Sequence, residues 1–288
     1  MWAGLRCCTP SISTHSSKGL RNAHFYLSDS IDDQEVASAL FETAASWART
    51  RGLNVLRGPL GFMALDGFGM LARGFEHRPA LGIPYNFDYY LRLAKTWGFE
   101  LEERVFSGYL SVAEMRANFP QRVLEVADKV RTRYGFGVKT FKSKHELKNW
   151  VAPRLADIYN QALTDIAGDP PLSQDEVAAV ADNVLITNKD GEVIGFLFCV
   201  LDISEGIKKA NGRLLPFGLF HLLLELRRTN WINLNGMGIL PDYHGLGGTA
   251  VMYAELFRAL EQFPRFEHAD IVQISEFNPK SLSAPSGK

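Results

Sequence analysis

The stretch "GILPDYHGLGGTAV", residues 238–251, sets three glycines, Gly245, Gly247 and Gly248, within four positions between an apolar run and a helical pattern. Few folds accommodate that order. A strand that ends in a glycine loop and opens directly into a helix belongs to an α/β architecture, because the helix must return over the sheet the strand has just left. The first turn of a helix also carries backbone N–H groups with no intrahelical acceptor, at the positive end of its dipole, so such a loop can cradle an anion. Two familiar phosphate loops do not fit. No Lys-Ser or Lys-Thr pair follows the last glycine, and the glycine spacing is not G-x-G-x-x-G.

The remaining sequence supplies alternating strands and helices. Val36, Leu40, Ala44, Trp47 and Ala48 recur at helical spacing, with Asp32, Asp33 and Glu35 at the start and Arg49, Arg51 and Gly52 at the end, which predicts a helix over 32–50. A short strand in "NVLRGPLGF", a helix from Asp88 to Trp97 and a strand ending near Leu110 follow. Residues 113–133 form a charged amphipathic connector, helical around Val123–Val130. A second series then begins at Tyr134: a strand-like "YGFGVKTF", helices in "LKNWVAPRLADIYNQALTDI" and "QDEVAAVA", and two β-rich runs around the turn pair Asp190–Gly191. An apolar helix with the entrance "LLPFG", the strand "WINLNGMGIL", the glycine loop, a helix over 248–261 and a strand over 269–275 complete it. The predicted organisation is an unstructured leader at 1–22, a first unit at 23–112, a helical linker at 113–133 and a second unit at 134–288. The alternation implies mixed sheets covered by helices, and the hairpin excludes a purely parallel one.

Composition narrows the function classes. With 46% hydrophobic residues among 288, the chain can fill a sizeable core. The 31 Lys and Arg against 32 Asp and Glu give a net charge of -1, so no overall basic field attracts polyanions, and neither nucleic acid nor membrane is expected as a partner. Cys7, Cys8 and Cys199 provide neither a metal-ligand spacing nor a disulfide framework, which fits a reducing, cytoplasmic setting and predicts no metal. No stretch approaches the ~20 apolar residues of a membrane-spanning helix.

The order strand, Pro, aromatic, His244, Gly245, Leu246, Gly247, Gly248, Thr249, helix resembles the acyl-CoA pyrophosphate loop of the GNAT acyltransferase superfamily. "PYNFDYYLRLAKTWGFEL" resembles the closing part of such a domain, where an Asn opens a helix that ends in Gly-Phe before the last strand; here these are Asn86, Gly98 and Phe99. Over about residues 23–282 the chain resembles bacterial proteins carrying two GNAT units in tandem. That resemblance implies an α/β protein of two GNAT-like units. The first would lack its opening strands, because only "HFYLSDS" and the leader precede its helix. The second would lack its final helix and strand, because ten residues follow Asn278 where twenty-four separate Asn86 from Leu110. A tandem pair shortened at both outer ends is the expectation.

The resemblance further implies acyl transfer from acetyl-CoA or another acyl-CoA to an amine on a small-molecule acceptor. His244 through Thr249 would hold the pyrophosphate, although the family prefers Arg or Gln at the first position and Gly or Ala at the last. A histidine contributes less electrostatic attraction than an arginine at neutral pH. Gly238, Ile239 and Leu240 would pair with pantetheine as an added strand, and Asn278 would sit beside it. Asn233 and Asn235, alternating on the preceding strand, are placed to orient a substrate, and Glu276 is the carboxylate nearest the strand ends and the candidate catalytic base. Tyr89, Tyr90 and Tyr109 belong to the first unit and are expected to pack its sheet. Tyr253 and Cys199 read as packing residues, and His145 and His221 as ordinary helix positions. The alternative from another class is a non-catalytic GNAT-like scaffold that binds a ligand or a protein partner; oligomeric state stays open. The discriminating geometry lies near Ile239 and Ile274, where two strands either splay to admit pantetheine or close with regular pairing.

Overall fold

A computed structural model describes residues 4–8, 22–60, 67–139, 157–158, 161 and 183–276. The chain divides into two compact units, one centred on Met1–Arg104 and one beginning at Val105.

In the first unit, strands β1 (Gly4–Cys8), β2 (Asn22–Asp29) and β3 (Val55–Arg57) form a sheet in that order, antiparallel then parallel. The parallel step from β2 to β3 is made by helix α1 (Gln34–Arg49). Asp33 starts α1 by accepting from the N–H groups of Glu35 and Val36, which satisfies two first-turn donors. Its buried residues are Ala37, Phe41, Ala44, Ala45 and Ala48; of those the periodicity singled out, Ala44 and Ala48 are buried, and Val36, Leu40 and Trp47 are half-buried beside them. Helix α2 (Tyr89–Trp97) ends at Gly98, whose φ of 118° gives a left-handed cap. Phe25, Phe41, Trp97 and Phe99 then meet ring to ring at 4.9–6.0 Å in the core of this unit. Two expectations change. Gly4–Cys8 is a strand paired with β2 rather than part of an unstructured leader, and α1 is therefore preceded by an antiparallel strand pair.

The second unit is a six-stranded sheet in the order β4 (Val105–Ser111), β9 (His268–Ser275), β8 (Trp231–Ile239), β7 (Val193–Leu201), β6 (Asn183–Thr187), β5 (Gly137–Lys139). All neighbours are antiparallel except β8 and β9. The strand predicted to end the first unit is thus the edge of this sheet: β4 pairs with β9 from Val105–Ser275 to Ser111–His268. It occupies the place of the final strand that the second unit was expected to lack. Strand pairing is blind to chain order, so a segment upstream can complete the sheet as well as one downstream.

The predicted linker is also part of this unit. Helices α3 (Val112–Asn118) and α4 (Gln121–Tyr134) bury Val112, Ala127 and Val130 against Val251, Met252 and Leu256 of helix α7 (Gly248–Gln262). Complete burial of such aliphatic side chains stabilises by about 1.5–3 kcal/mol each. Arg131 of α4 pairs with Glu255 of α7, and Arg258 bridges Glu255 at 2.6 Å and Asp128 at 3.3 Å. Asn188 organises the β6–β7 turn by accepting from the N–H groups of Asp190 and Glu192. Helices α5 (Ser204–Ala210) and α6 (Gly218–Arg228) form a hairpin between β7 and β8. The two helices expected between Leu147 and Ala181, and Asn278, lie outside the described residues, save for a helical Asp157–Ile158.

Candidate functional site

The parallel ladder between β8 and β9 stops. It runs from Trp231–His268 to Leu234–Ile271, yet β8 continues to Ile239 and β9 to Ser275. Beyond Leu234 the strand register continues only outward, β8 with β7 and β9 with β4, which leaves a fork between them. Two local irregularities open it. On β8 three steps from Leu234 to Met237 face two steps on β7, a bulge whose glycine, Gly236, has φ of 109°. On β9, Gln273 adopts φ of 49° where the register with β4 also shifts.

Alternation along the ladder decides which backbone groups line the fork. Leu240 donates its N–H to the Ile194 carbonyl at 2.8 Å, and Gly238 stands opposite Phe196, so both are committed to β7. Ile239 faces the other way, into the fork. Of the three residues expected to pair with pantetheine, geometry leaves Ile239 with both backbone groups on the open side. Its carbonyl accepts from His244 Nε2 at 2.8 Å, which fixes the proton on that nitrogen and leaves Nδ1 for another partner.

The glycine loop stands at the mouth. The turn Pro241–Tyr243 leads from β8 into it. Gly245 and Gly247 have φ of 77° and 87°, and Gly247 and Gly248 are tied to packing: a Cβ would lie 2.7 Å from Val130 Cγ2 at the first and 2.9 Å from Ile239 Cδ1 at the second. Gly245 has open space around it. Glycine therefore has two roles here, close contact with α4 and β8 at 247 and 248, and an uncrowded backbone at 245. Among the described residues, the N–H groups of Gly245, Gly247, Gly248 and Thr249 donate to no protein acceptor. Four such donors at the start of a fifteen-residue helix form an anion cradle, with Leu246 packed inward and the Thr249 side chain exposed.

One sheet face below the fork carries the side chains with chemistry. Val200, Asn233, Asp270 and Tyr109 align across β7, β8, β9 and β4 in a single row. Asn233 is fully buried, so in this conformation it closes the bottom of the fork rather than meeting a substrate, whereas Asn235, at the bulge, is half-buried. Asp270 is buried, Tyr109 is 60% exposed, and the Tyr109 ring lies 6.2 Å from Trp231, which stacks on His268 at 4.3 Å. Glu276 follows β9 and is half-buried. Sequence reading missed Asp270 and assigned Tyr109 to the other unit. The signal for Asp270 was present: a lone charge inside the apolar strand "HADIVQIS" needs a reason to be buried. For Tyr109 no local signal existed, since strand pairing at long range placed it. Tyr89 and Tyr90 do stay in the first unit, the former donating to the Ser30 carbonyl at 2.8 Å and the latter to Asp29.

No protein-family model matches the chain. Protein YghO of Escherichia coli (strain K12) is 24% identical over 239 residues, 78% of this chain and 59% of that protein. A bacterial ceramide synthase of Caulobacter vibrioides is 25% identical over 227 residues, 75% of this chain and 57% of that one. The chain thus spans somewhat less than three-fifths of each of these curated relatives. Among solved structures, a GCN5-related glucosamine N-acetyltransferase region of a fungal multi-domain GH3 β-N-acetylglucosaminidase superposes with a TM-score of 0.52 at 10% identity, covering 91% of this chain and 28% of that chain. With its mixed sheet, forked parallel pair and glycine loop, the chain has the fold of the GCN5-related N-acetyltransferases.

Proposed function

We propose that the second unit transfers an acyl group from acyl-CoA to an amine. The observation that carries this reading is the fork between β8 and β9 with four free N–H groups at its mouth. A pyrophosphate at Gly245–Thr249 would be held by backbone donors and the α7 dipole. Pantetheine would then run inward and pair with Ile239, bringing the thioester above the row that contains Asp270 and Tyr109. Thioester aminolysis needs a proton removed from the amine, a donor for the carbonyl oxygen and a proton for the departing thiolate. For a thioester at that row we assign the base to Asp270 and the acid to Tyr109; for one held nearer the mouth by the Ile239 N–H, the base is Glu276, which continuation of the parallel register sets level with Ile239. The amide forms as the C–S bond breaks, and the thiol leaves with the proton from the phenol.

The name of the Caulobacter relative, a ceramide synthase, supports an amide product built on a long-chain amino alcohol. Acetyl-CoA, palmitoyl-CoA and a sphingoid base are therefore the reagents to use first. Calorimetry on the wild type and Thr249→Glu tests the cofactor reading. Wild-type binding that the carboxylate reduces at least tenfold supports it; absence of binding by the wild type to either thioester leaves the non-catalytic scaffold. Turnover by Asp270→Asn and Glu276→Gln, each with CoA binding intact, then tells which carboxylate accepts the proton.

A further inference from the structure

Helix α6 is apolar beyond its inner face. Its exposed stripe is Leu219, Phe220, Leu223 and Leu226, while His221, Leu222, Leu224 and Glu225 are half-buried. A helix on a water-facing surface has polar side chains on its outer face instead. The loop between the helices continues the stripe: Leu214 is 62%, Leu215 76% and Phe217 70% exposed, and Ile207 of α5 lies open as well. A soluble monomer's largest apolar patch is usually about 300–600 Å² and often functional; this one gathers eight large side chains on one short hairpin.

The hairpin is firmly built. At Gly206 an added Cβ would lie 2.9 Å from Glu225 Cβ and 3.0 Å from the His221 carbonyl, so α5 and α6 touch backbone to backbone. Leu219 donates to the Leu214 carbonyl at 2.7 Å, and Arg265 holds the Arg227 carbonyl at 3.1 Å. The apolar side chains are thus presented by a close-packed element.

Charge selects the occupant. Residues 204–228 carry five basic side chains, Lys208, Lys209, Arg213, Arg227 and Arg228, against Glu205 and Glu225, in a chain whose net charge is -1. All five are exposed. Exposed apolar side chains on the same short hairpin as exposed Lys and Arg match the acyl boundary and anionic headgroups of a lipid surface. No helix among the described residues is long and apolar enough to cross a membrane, so the fit is to one leaflet. We propose that the α5–α6 hairpin docks the protein on an anionic bilayer, lying in its interface. This departs from the expectation drawn from net charge, which averages over a patch that is locally basic. The docking does not depend on the acyltransferase reading, but the two agree in direction. The hairpin enters β8 at Trp231 and the glycine loop leaves it after Ile239, nine residues or roughly 30 Å of strand apart. A polar nucleotide at the loop would face water, and the fork would point its acyl end toward the lipid.

The test is co-sedimentation of the full chain with vesicles of phosphatidylcholine alone or mixed with phosphatidylglycerol. Binding is expected to the mixed vesicles and to weaken in high salt. Lys208→Glu with Lys209→Glu should weaken it by roughly 30-fold or more, and Phe217→Glu with Phe220→Glu should abolish it. A Leu215→Trp variant should show a blue-shifted emission on mixing with the anionic vesicles, which reads the contact even if a charge variant folds poorly. Absence of wild-type sedimentation together with an unshifted emission from the Leu215→Trp variant overturns the proposal. So does a wild-type dimer that Phe217→Glu with Phe220→Glu makes monomeric while vesicle binding is absent, since the patch would then cover a second copy.

Discussion

Gly247 shows how tightly packing constrains the glycine loop. Its backbone is left-handed and its α-carbon lies against Val130, so any side chain meets both steric penalties. Gly247→Ala is expected to destabilise the second unit by about 2–3 kcal/mol, read as a lower midpoint in denaturant unfolding. For that reason a substitution at 247 is a poor probe of the anion cradle, and Thr249 is a better one. Thr249 is exposed in the first turn of α7, where a carboxylate suits the helix dipole, so Thr249→Glu should leave the thermal midpoint equal or higher while acyl-CoA binding falls. His244 offers a subtler effect. Its Nε2 donates to the Ile239 carbonyl and ties the loop to the end of β8. Acyl-CoA binding is expected to weaken several-fold in His244→Leu, which removes that bond, as measured by calorimetry.

At the scale of elements, β2 carries a buried titratable group. His24 is almost fully buried, its Nε2 has no partner among the described residues, and burial followed by the Arg57 charge pushes its pKa below the ordinary 6.5. In the unfolded chain the same ring protonates near its ordinary value. Below about pH 6.5 the unfolded state therefore binds more protons, so the stabilisation is complete above that pH and is lost as pH falls toward the depressed folded value. Calorimetric unfolding of the first unit should show a midpoint falling from about pH 6.5 downward, with a shallower fall in His24→Asn. The edge strand β4 makes a second case. Leu110 packs against the core of the second unit from that edge. Leu110→Asp should destabilise that unit by about 3 kcal/mol, since it buries a charge at an apolar contact, and leave the α1–α2 core of the first unit intact.

For the whole molecule, the consequence is where the second unit begins. A chain starting at Tyr134, the boundary that sequence suggested, loses β4, α3 and α4, and with them Val112, Ala127, Val130 and the Arg131–Glu255 pair. It is expected to be insoluble or molten. A chain starting at Val105 keeps them and should unfold cooperatively, a difference that circular dichroism and gel filtration can read. Sequence determined what is local about this protein. The caps of α1 and α2, the Asp190–Gly191 turn, the strand–glycine–helix order and the extents of α1, β3, α2, α7 and β9 follow from spacing, turn chemistry and propensity within a few residues. The glycine loop belongs to the same class, since its free N–H groups come from neighbouring backbone positions. Tertiary structure alone decided the rest. That β4 completes the sheet of the second unit, that Tyr109 aligns with Asp270, that Asn233 is sealed and that Gly247 faces Val130 all depend on partners far away in the chain. An edge strand reads the same from either side, and the hydrogen bonds that choose its neighbour become available only once the other strands have assembled.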